Sequence, residues 1–269
     1  MTFDVWWLAY LALGAFTGFM AGLFGIGGGA IMVPLLVMIF SASGVPQEHL
    51  LHLALGTSMA TIIFTAWSSM RAHNARGAVM WDVFWTFVPG IILGTWGGTL
   101  IAAHISTRGL AVFFAIFITL VAIQMAFNLK PSPHRGLPGK PGLIGVGAGI
   151  GVISAMAAVG GGAMTVPYLS WCNVPVKRAI GTSAAVGLPI ALSGTLGYLW
   201  NGWGRVGLPA WSVGYVFLPP MVLLAVMSML MAPVGASLAH RLPVAALKRG
   251  FAGILVLLSA KMLWGVFHG

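Results

Sequence analysis

The sequence predicts an all-α polytopic membrane protein built from two repeated halves that have opposite orientations in the bilayer. Of the 269 residues, 59% are hydrophobic and only 6% are charged, which leaves too little polar surface for a soluble domain. Apolar runs such as residues 110–129 are long enough for a helix to cross the hydrocarbon core, and they lack the alternation of barrel strands. A glycine-rich motif also occurs twice in the chain.

Each half contains five apolar segments. In the first half they lie near residues 5–24, 30–40, 51–70, 83–103 and 108–128, and in the second near 142–159, 163–172, 178–200, 211–238 and 245–267. The second segment of each half is short, since ten helical residues cover about 15 Å, roughly half the hydrocarbon thickness. We therefore expect about eight full spans and two half-helices, with a first membrane repeat at 1–129, a linker at 130–141 and a second repeat at 142–269.

An internal duplication is indicated by three matches that occur in the same order. "FGIGGGAIMVPLL" at 24–36 and "AAVGGGAMTVPYL" at 157–169 agree at 7 of 13 positions. "LGTS" at 55–58 is then answered by "IGTS" at 180–183, and four residues near the end of each half agree at an offset of 137. The shared order is a stronger signal than any one motif.

Positive charge predicts how the segments cross the membrane. If each glycine-linked pair of segments enters and returns as a hairpin, ten of the thirteen lysines and arginines share one side, and Arg108 and Arg205 lie on the other. The positive-inside rule makes the first side cytoplasmic, in a multi-pass membrane protein with both termini outside. The halves are then inverted, as in many secondary transporters. The net charge of +10 therefore does not indicate a nucleic-acid partner; the expected partner is the lipid bilayer.

The two glycine breaks predict an anion site. A half-helix that begins at a triple glycine near the midplane presents free N–H groups and the positive end of its dipole. Close helix packing is the alternative role for these glycines. Hydroxyl groups in helices of both halves are further candidates to bind a substrate. The predicted substrate-binding residues are Gly27, Gly28, Gly29, Ala30, Thr57 and Ser58 in the first half, and Gly160, Gly161, Gly162, Ala163, Thr182 and Ser183 in the second.

Other polar residues give weaker signals. Gln124 and Lys261 occupy equivalent positions at the 137 offset and form a candidate polar pair. His49 and His52 are three residues apart, which does not amount to a metal pattern, and we predict neither a metal nor a cofactor. No nucleophile–base set indicates an enzyme. All three acidic residues lie near segment ends, which disfavours cation transport.

The motifs resemble those of the sulfite exporter TauE/SafE family. The resemblance rests on "AGLFGIGGGAIMVPLL" (21–36), "HLALGTSMATIIFT" (52–65), "AVGGGAMTVPYL" (158–169) and "KRAIGTSAAVGLPIALSG" (177–194). It implies an inner-membrane permease for a small anion such as sulfite or an organosulfonate, and it leaves the direction and the substrate open. An anion channel and a permease for a non-sulfur solute are the alternatives, and assembly into a homo-oligomer also stays open.

Overall fold

The protein is a bundle of helices with one short β-hairpin. The structure, a computed structural model, describes residues 3–24, 28–127, 136–239 and 244–268. The helices are α1 Phe3–Phe24, α2 Gly29–Ala42, α3 Gln47–Asn74, α4 Trp81–His104, α5 Thr107–Ala126, α6 Lys140–Ala157, α7 Gly162–Trp171, α8 Val176–Gly202, α9 Leu218–Ala239 and α10 Val244–His268. The strands β1 Ser212–Val213 and β2 Val216–Phe217 pair antiparallel between α8 and α9.

The predicted segments are confirmed as helices, with one correction. Among the described residues, eight helices are long and apolar enough to cross a membrane, and α2 and α7 are the two short ones, with 14 and 10 residues. The segment predicted at 211–238 was wrong at its start, because the β-hairpin takes up residues 212–217 and the helix begins at Leu218. Gly214, at a φ of 52°, allows the tight turn between the strands, which hydropathy alone does not distinguish from helix.

Helices α3 and α8 form the centre of the bundle. They pack against each other. In each of them, 83% of an apolar stretch of 18 residues is buried inside the protein, compared with 33–50% for the other spanning helices. Helix α1 packs on α9 and α6 packs on α4, while α9 and α4 in turn contact α3 and α8. In the predicted repeat, α1 corresponds to α6, α3 to α8 and α4 to α9. The pairing of α1 with α9 then corresponds to that of α6 with α4, which is consistent with the predicted inverted repeat.

Glycines show the direction in which the paired helices run. A Cβ on Gly14 would meet the backbone of Leu224, and a Cβ on Gly18 would meet that of Ser228. Both residue numbers rise together, so α1 and α9 are parallel. In the same way, Gly90 lies against Ile144 and Gly94 against Ala148, so α4 and α6 are parallel. Because only glycine leaves room for such close backbone contact, these four glycines, which lie outside the two breaks, pack the helices together.

Most of the described cationic residues are gathered at one end of the bundle, which we name the cationic face. Helix α1 ends there, beside the end of α3, where His73 Nε2 lies 3.3 Å from the Gly22 carbonyl. Helix α2 then returns to the start of α3, so the first glycine-linked pair is a hairpin, as predicted. The described residues of this face are Arg71, Arg76, Lys140, Lys177, Arg178 and Arg249, and those of the opposite face are Arg108 and Arg205. Lys130, Arg135 and Arg241 lie outside the described residues, and Lys248, next to Arg249 in α10, is described for its backbone alone.

Candidate functional site

The glycine breaks of the two halves meet in the middle of the bundle. A Cβ on Gly29, the first residue of α2, would overlap the carbonyl oxygen of Ala158, which caps the end of α6. The same Cβ would lie 3.1 Å from Cδ1 of Ile62, near the midpoint of α3. The first break is therefore packed directly on the second at about the middle of the central helices. Gly27 lies outside the described residues.

Both short helices begin with the same hydrogen-bond pattern. The Gly28 carbonyl accepts from the N–H groups of Ile31 and Met32, at 3.2 and 3.1 Å. At the equivalent positions of the second half, the Gly161 carbonyl accepts from Met164 and Thr165, at 3.4 and 2.7 Å. The repeated sequence thus produces two equivalent helix starts.

The first turn of α7 has free amide donors. No backbone carbonyl or side chain in the described part of the chain accepts from the N–H groups of Gly162 and Ala163, the first two residues of the helix. Such amides are the orphan donors of any helix start, and the helix dipole adds partial positive charge at the same place. The turn is buried, so these donors point into protein and not into water.

A small cavity adjoins the second break. It has a volume of about 10 Å³, close to that of one water molecule, and the residues around it are Ala21, Thr65, Ala66, Ser69, Gly160, Ser183, Ala184 and Gly187. Ser69 is 3% exposed, and its Oγ has no hydrogen-bond partner. Since a buried hydroxyl without a partner is costly, Ser69 marks a place where a polar ligand would be stabilising.

The two Gly-Thr-Ser motifs hold the chain where it enters α9 and α4. Thr57 Oγ1 accepts from the N–H of Phe217, directly before α9, and Thr182 Oγ1 accepts from the N–H of Met80, directly before α4; both distances are 3.0 Å. Two residues before each donor, a backbone carbonyl lies against a glycine of the motif: the Tyr215 carbonyl against Gly56 and the Ala78 carbonyl against Gly181. These threonines therefore have a structural role, and their contact with a substrate stays a prediction.

The serines of these motifs differ from each other. Ser58 is fully buried and its Oγ has no hydrogen-bond partner. Ser183 donates to the Ile180 carbonyl at 2.8 Å and borders the cavity. Ser183 thus lies beside the second break, although its own hydrogen is already bonded within the helix, and its contact with a substrate stays a prediction.

The predicted polar pair does not come together. Arg108, at the start of α5, lies over the ring of Phe267, at the end of α10, so the two helices are antiparallel. Gln124 lies near the end of α5 and Lys261 near the end of α10, so they are roughly 10–15 Å apart along the bundle. Gln124 is half-buried and Lys261 is exposed on the outside of α10.

Three polar residues of the central helix were missed by the sequence reasoning. Thr61, Thr65 and Ser69 follow Thr57 at intervals of four residues and form a polar stripe along one face of α3. Thr65 Oγ1 lies 2.6 Å from Ser228 Oγ of α9, and Thr65 and Ser69 both border the cavity. The four-residue spacing in an otherwise apolar segment was the signal that could have found them.

Comparison with known proteins shows the family. The family described as Sulfite exporter TauE/SafE matches residues 10–262. A probable membrane transporter protein of Haemophilus influenzae is 35% identical over 257 residues, which is 95% of this chain and 97% of that protein. One of Methanocaldococcus jannaschii is 28% identical over 80% of each chain, and YunE of Bacillus subtilis, also a probable membrane transporter protein, is 26% identical over 71% of this chain and 78% of its own length.

No solved structure matches the chain. The family match nevertheless spans both glycine breaks and both Gly-Thr-Ser motifs, so the features of the site lie inside the family's common region. The chain therefore belongs to the sulfite exporter TauE/SafE family of membrane transporters.

Proposed function

We propose that the protein is a secondary transporter of a small anion, which binds between the two glycine breaks. The observation that carries this proposal is the meeting of the breaks at mid-bundle, where Gly29 contacts Ala158 and the cavity adjoins Gly160. Free amides of Gly162 and Ala163 and the hydroxyl of Ser69 supply hydrogen-bond donors there, and two helix dipoles supply positive potential.

The surroundings of this site favour a negative solute. Glu48 lies in the first turn of α3 and Asp82 in the first turn of α4, so both are at the ends of the bundle. A cation at the breaks would therefore face helix N-termini without a compensating carboxylate nearby, whereas an anion would be stabilised. The family description supports sulfite as the anion, and an organosulfonate is the further candidate that the motif resemblance implies.

Transport requires the site to open. The cavity of about 10 Å³ is too small for sulfite, which is larger than the single water that such a space holds. We propose that opening to each side in turn, by movement of the glycine-linked hairpins against α3 and α8, gives alternating access. The repeated helix pairings support this, because a two-fold related pair of halves can adopt two equivalent openings.

The cationic face is proposed to be cytoplasmic, which places both termini outside the bacterial inner membrane. Arg71, Arg76, Lys140, Lys177, Arg178 and Arg249 support this orientation through the positive-inside rule. A monoanion that leaves a negative-inside cell then gains about 2.3 kcal/mol per 100 mV, so export needs no coupling ion.

The test is counterflow in proteoliposomes with labelled sulfite and a labelled organosulfonate. We expect saturable uptake that is accelerated by unlabelled anion on the other side. Conductance without exchange would indicate a channel, and no response to sulfur anions would indicate another solute; either result contradicts the proposal.

A matched pair of variants locates the site. Ser69→Ala removes the orphan hydroxyl at the cavity, and we expect it to raise KM about fivefold or more, as expected for a lost hydrogen bond of about 1 kcal/mol. Ser259→Ala removes another buried hydroxyl without a partner, on α10 and away from the cavity, and should leave KM unchanged. Equal KM values for the two variants would remove Ser69 from the site.

A further inference from the structure

A second, larger cavity opens at the face opposite the cationic face. Its volume is about 620 Å³, within the range of small-molecule sites. The starts of α3 and α5, the end of α4 and the segment between α8 and α9 surround it. It is separate from the glycine breaks, since it lies at the ends of these helices and not at their middle.

The arginines described at this face both border the cavity. Arg108 comes from the start of α5, where its guanidinium carbon lies 5.9 Å from the ring centroid of Phe267. Arg205 comes from the segment after α8, on another side of the cavity. Glu48 is the carboxylate among the surrounding residues, so the arginines leave an excess of positive charge. The starts of α3 at Gln47 and α5 at Thr107 bring positive helix-dipole ends to the cavity, and the ends of α4 and α10 bring negative ones, so the excess positive charge comes from the arginines.

A buried histidine nitrogen in the wall has no partner. His52 is 5% exposed, and its Nε2 lies 2.9 Å from the Ala102 carbonyl. Because a carbonyl can only accept, Nε2 carries the hydrogen, and Nδ1 of the neutral ring is left as an acceptor. No hydrogen-bond partner reaches this Nδ1. Protonation turns it into a donor, and an anion in the cavity would then satisfy it.

Three other polar side chains around the cavity, Tyr215, His49 and His104, have hydrogen-bonding or electrostatic interactions with their neighbours. The pKa of Tyr215 is raised by burial and by Glu48, against the opposing effect of Arg205, so its phenol stays protonated and can donate. His49 Nε2 lies 3.0 Å from the Val206 carbonyl and 3.3 Å from Glu48 Oε1. The exposed His104 uses Nδ1 to donate to the Leu100 carbonyl, at 2.8 Å. These groups and the arginines are the titratable and charged side chains that surround His52 in the cavity.

We propose that this cavity is a second anion site, which binds a small free oxyanion between Arg108 and Arg205 and takes up a proton on His52 when it does so. A metal ion fits the cavity less well, because no cluster of three metal-ligating side chains occurs in the described ranges. The proposal does not depend on transport through the glycine breaks, since it concerns binding to the resting protein.

The test is isothermal titration of the purified chain with sulfate in neutral detergent. Sulfate is the probe because it stays a dianion across the pH range used, so its own protonation does not change. We expect the affinity to fall about tenfold between about pH 6 and about pH 8, because binding takes up a proton on His52 and that proton is harder to supply as the pH rises. Absence of sulfate binding would overturn the proposal.

Variants separate the parts of the site. Arg108→Gln and Arg205→Gln should each weaken sulfate binding about tenfold, whereas Arg178→Gln, a matched change at the cationic face, should not. His52→Gln should remove the pH dependence, and His104→Gln, in the same cavity, should retain it. Equal affinities in the wild type and both cavity arginine variants would overturn the proposal, as would an unchanged pH dependence in His52→Gln.

Two further arms distinguish the occupant and the site. In nanodiscs, adding anionic lipid to neutral lipid should leave sulfate affinity unchanged; loss of sulfate binding would show that a lipid headgroup occupies the cavity and would overturn the free-anion proposal. Ser69→Ala should keep the sulfate affinity of this cavity even if it alters transport. The proposed site at the glycine breaks and the proposed site in this cavity can therefore be contradicted separately.

Discussion

The two glycine breaks have nearly the same sequence and different surroundings. Helix α2 has 14 residues, packs against α3 and α10, and its residues Gly29–Pro34 are all buried. Helix α7 has 10 residues and packs chiefly on α8, and Val166, Pro167 and Tyr168 are only half-buried. Among the described residues, the cavity also adjoins Gly160 of the second break and neither Gly28 nor Gly29 of the first. The two matching motifs therefore share the same helix start, while the packing around them differs.

The backbone turn before each helix differs too. In the first break Gly28 has a φ of 79°, whereas Gly161, its counterpart, is in the right-handed helical region. In the second break the positive φ, 44°, falls on Ala158, three residues earlier. A left-handed conformation strains an alanine but not a glycine, so the second break contains local strain at the point where α2 contacts it.

The largest expected difference between the breaks concerns glycine replacement. Gly29→Ala should destabilise the protein by about 3 kcal/mol or more, because its Cβ would overlap the Ala158 backbone carbonyl, which cannot move independently. Gly161→Ala should cost only about 1–2 kcal/mol, since the nearest atom is a Val186 methyl at 2.8 Å. Thermal melting in detergent measures both. Gly97→Ala, with open space at its Cβ, is the control and should melt like the wild type.

The next comparison concerns the threonines that hold α9 and α4. Thr57→Val and Thr182→Val each remove the acceptor of a backbone N–H, and each should cost about 1–3 kcal/mol. Thr57→Val should cost more, because its donor Phe217 is buried whereas the donor Met80 is half-buried. Melting of both variants checks the order. Thr57→Ser retains the hydroxyl and should recover most of the stability; if it does not, the hydrogen bond is not the cause.

Hydrogen exchange sharpens the contrast in burial. Amides of α7 should exchange about tenfold faster than those of α2, a difference of about 1.4 kcal/mol in opening free energy, because α7 is shorter and less covered. Mass spectrometry of peptides from 162–171 and 29–42 in detergent measures this directly. Equal protection of the two helices would show that burial in the bundle does not control their opening.

The smallest effect concerns the strained residue. Ala158→Gly should change stability by about 0.5 kcal/mol or less, because relief of a left-handed alanine is nearly balanced by the entropy cost of glycine and the loss of a fully buried methyl group. Gly28→Ala is the reverse change, at a positive φ and with its Cβ 3.0 Å from the Thr17 carbonyl oxygen, and should lower stability by about 1–2 kcal/mol. A pair of melting curves tests both changes, and an Ala158→Gly loss of about 2 kcal/mol, as expected for an unstrained buried alanine, would show that the strain is absent.

Much of the architecture was readable from the residues. Long apolar runs define the spans, because a helix satisfies the hydrogen bonds of its own backbone N–H and C=O groups inside the bilayer. Gly28 and Gly161 mark the starts of the short helices, because a glycine-rich stretch interrupts an apolar run there. The β-hairpin at 212–217 was missed, since its apolar residues have the composition of a span. The role of Thr57 was also missed, because its partner Phe217 is 160 residues away.

By itself the sequence determined that the chain spans a membrane, that its glycine-rich and Gly-Thr-Ser motifs recur in the same order, and where its two short helices begin, since these are properties of local composition and spacing. Only the tertiary structure decided that Gly29 contacts Ala158 and that the Ser69 hydroxyl borders a cavity without a hydrogen-bond partner. It also decided that Arg108, Arg205 and His52 line the same second cavity. Those are contacts between segments far apart in the chain, and they depend on which helix faces pack together, which no local pattern specifies.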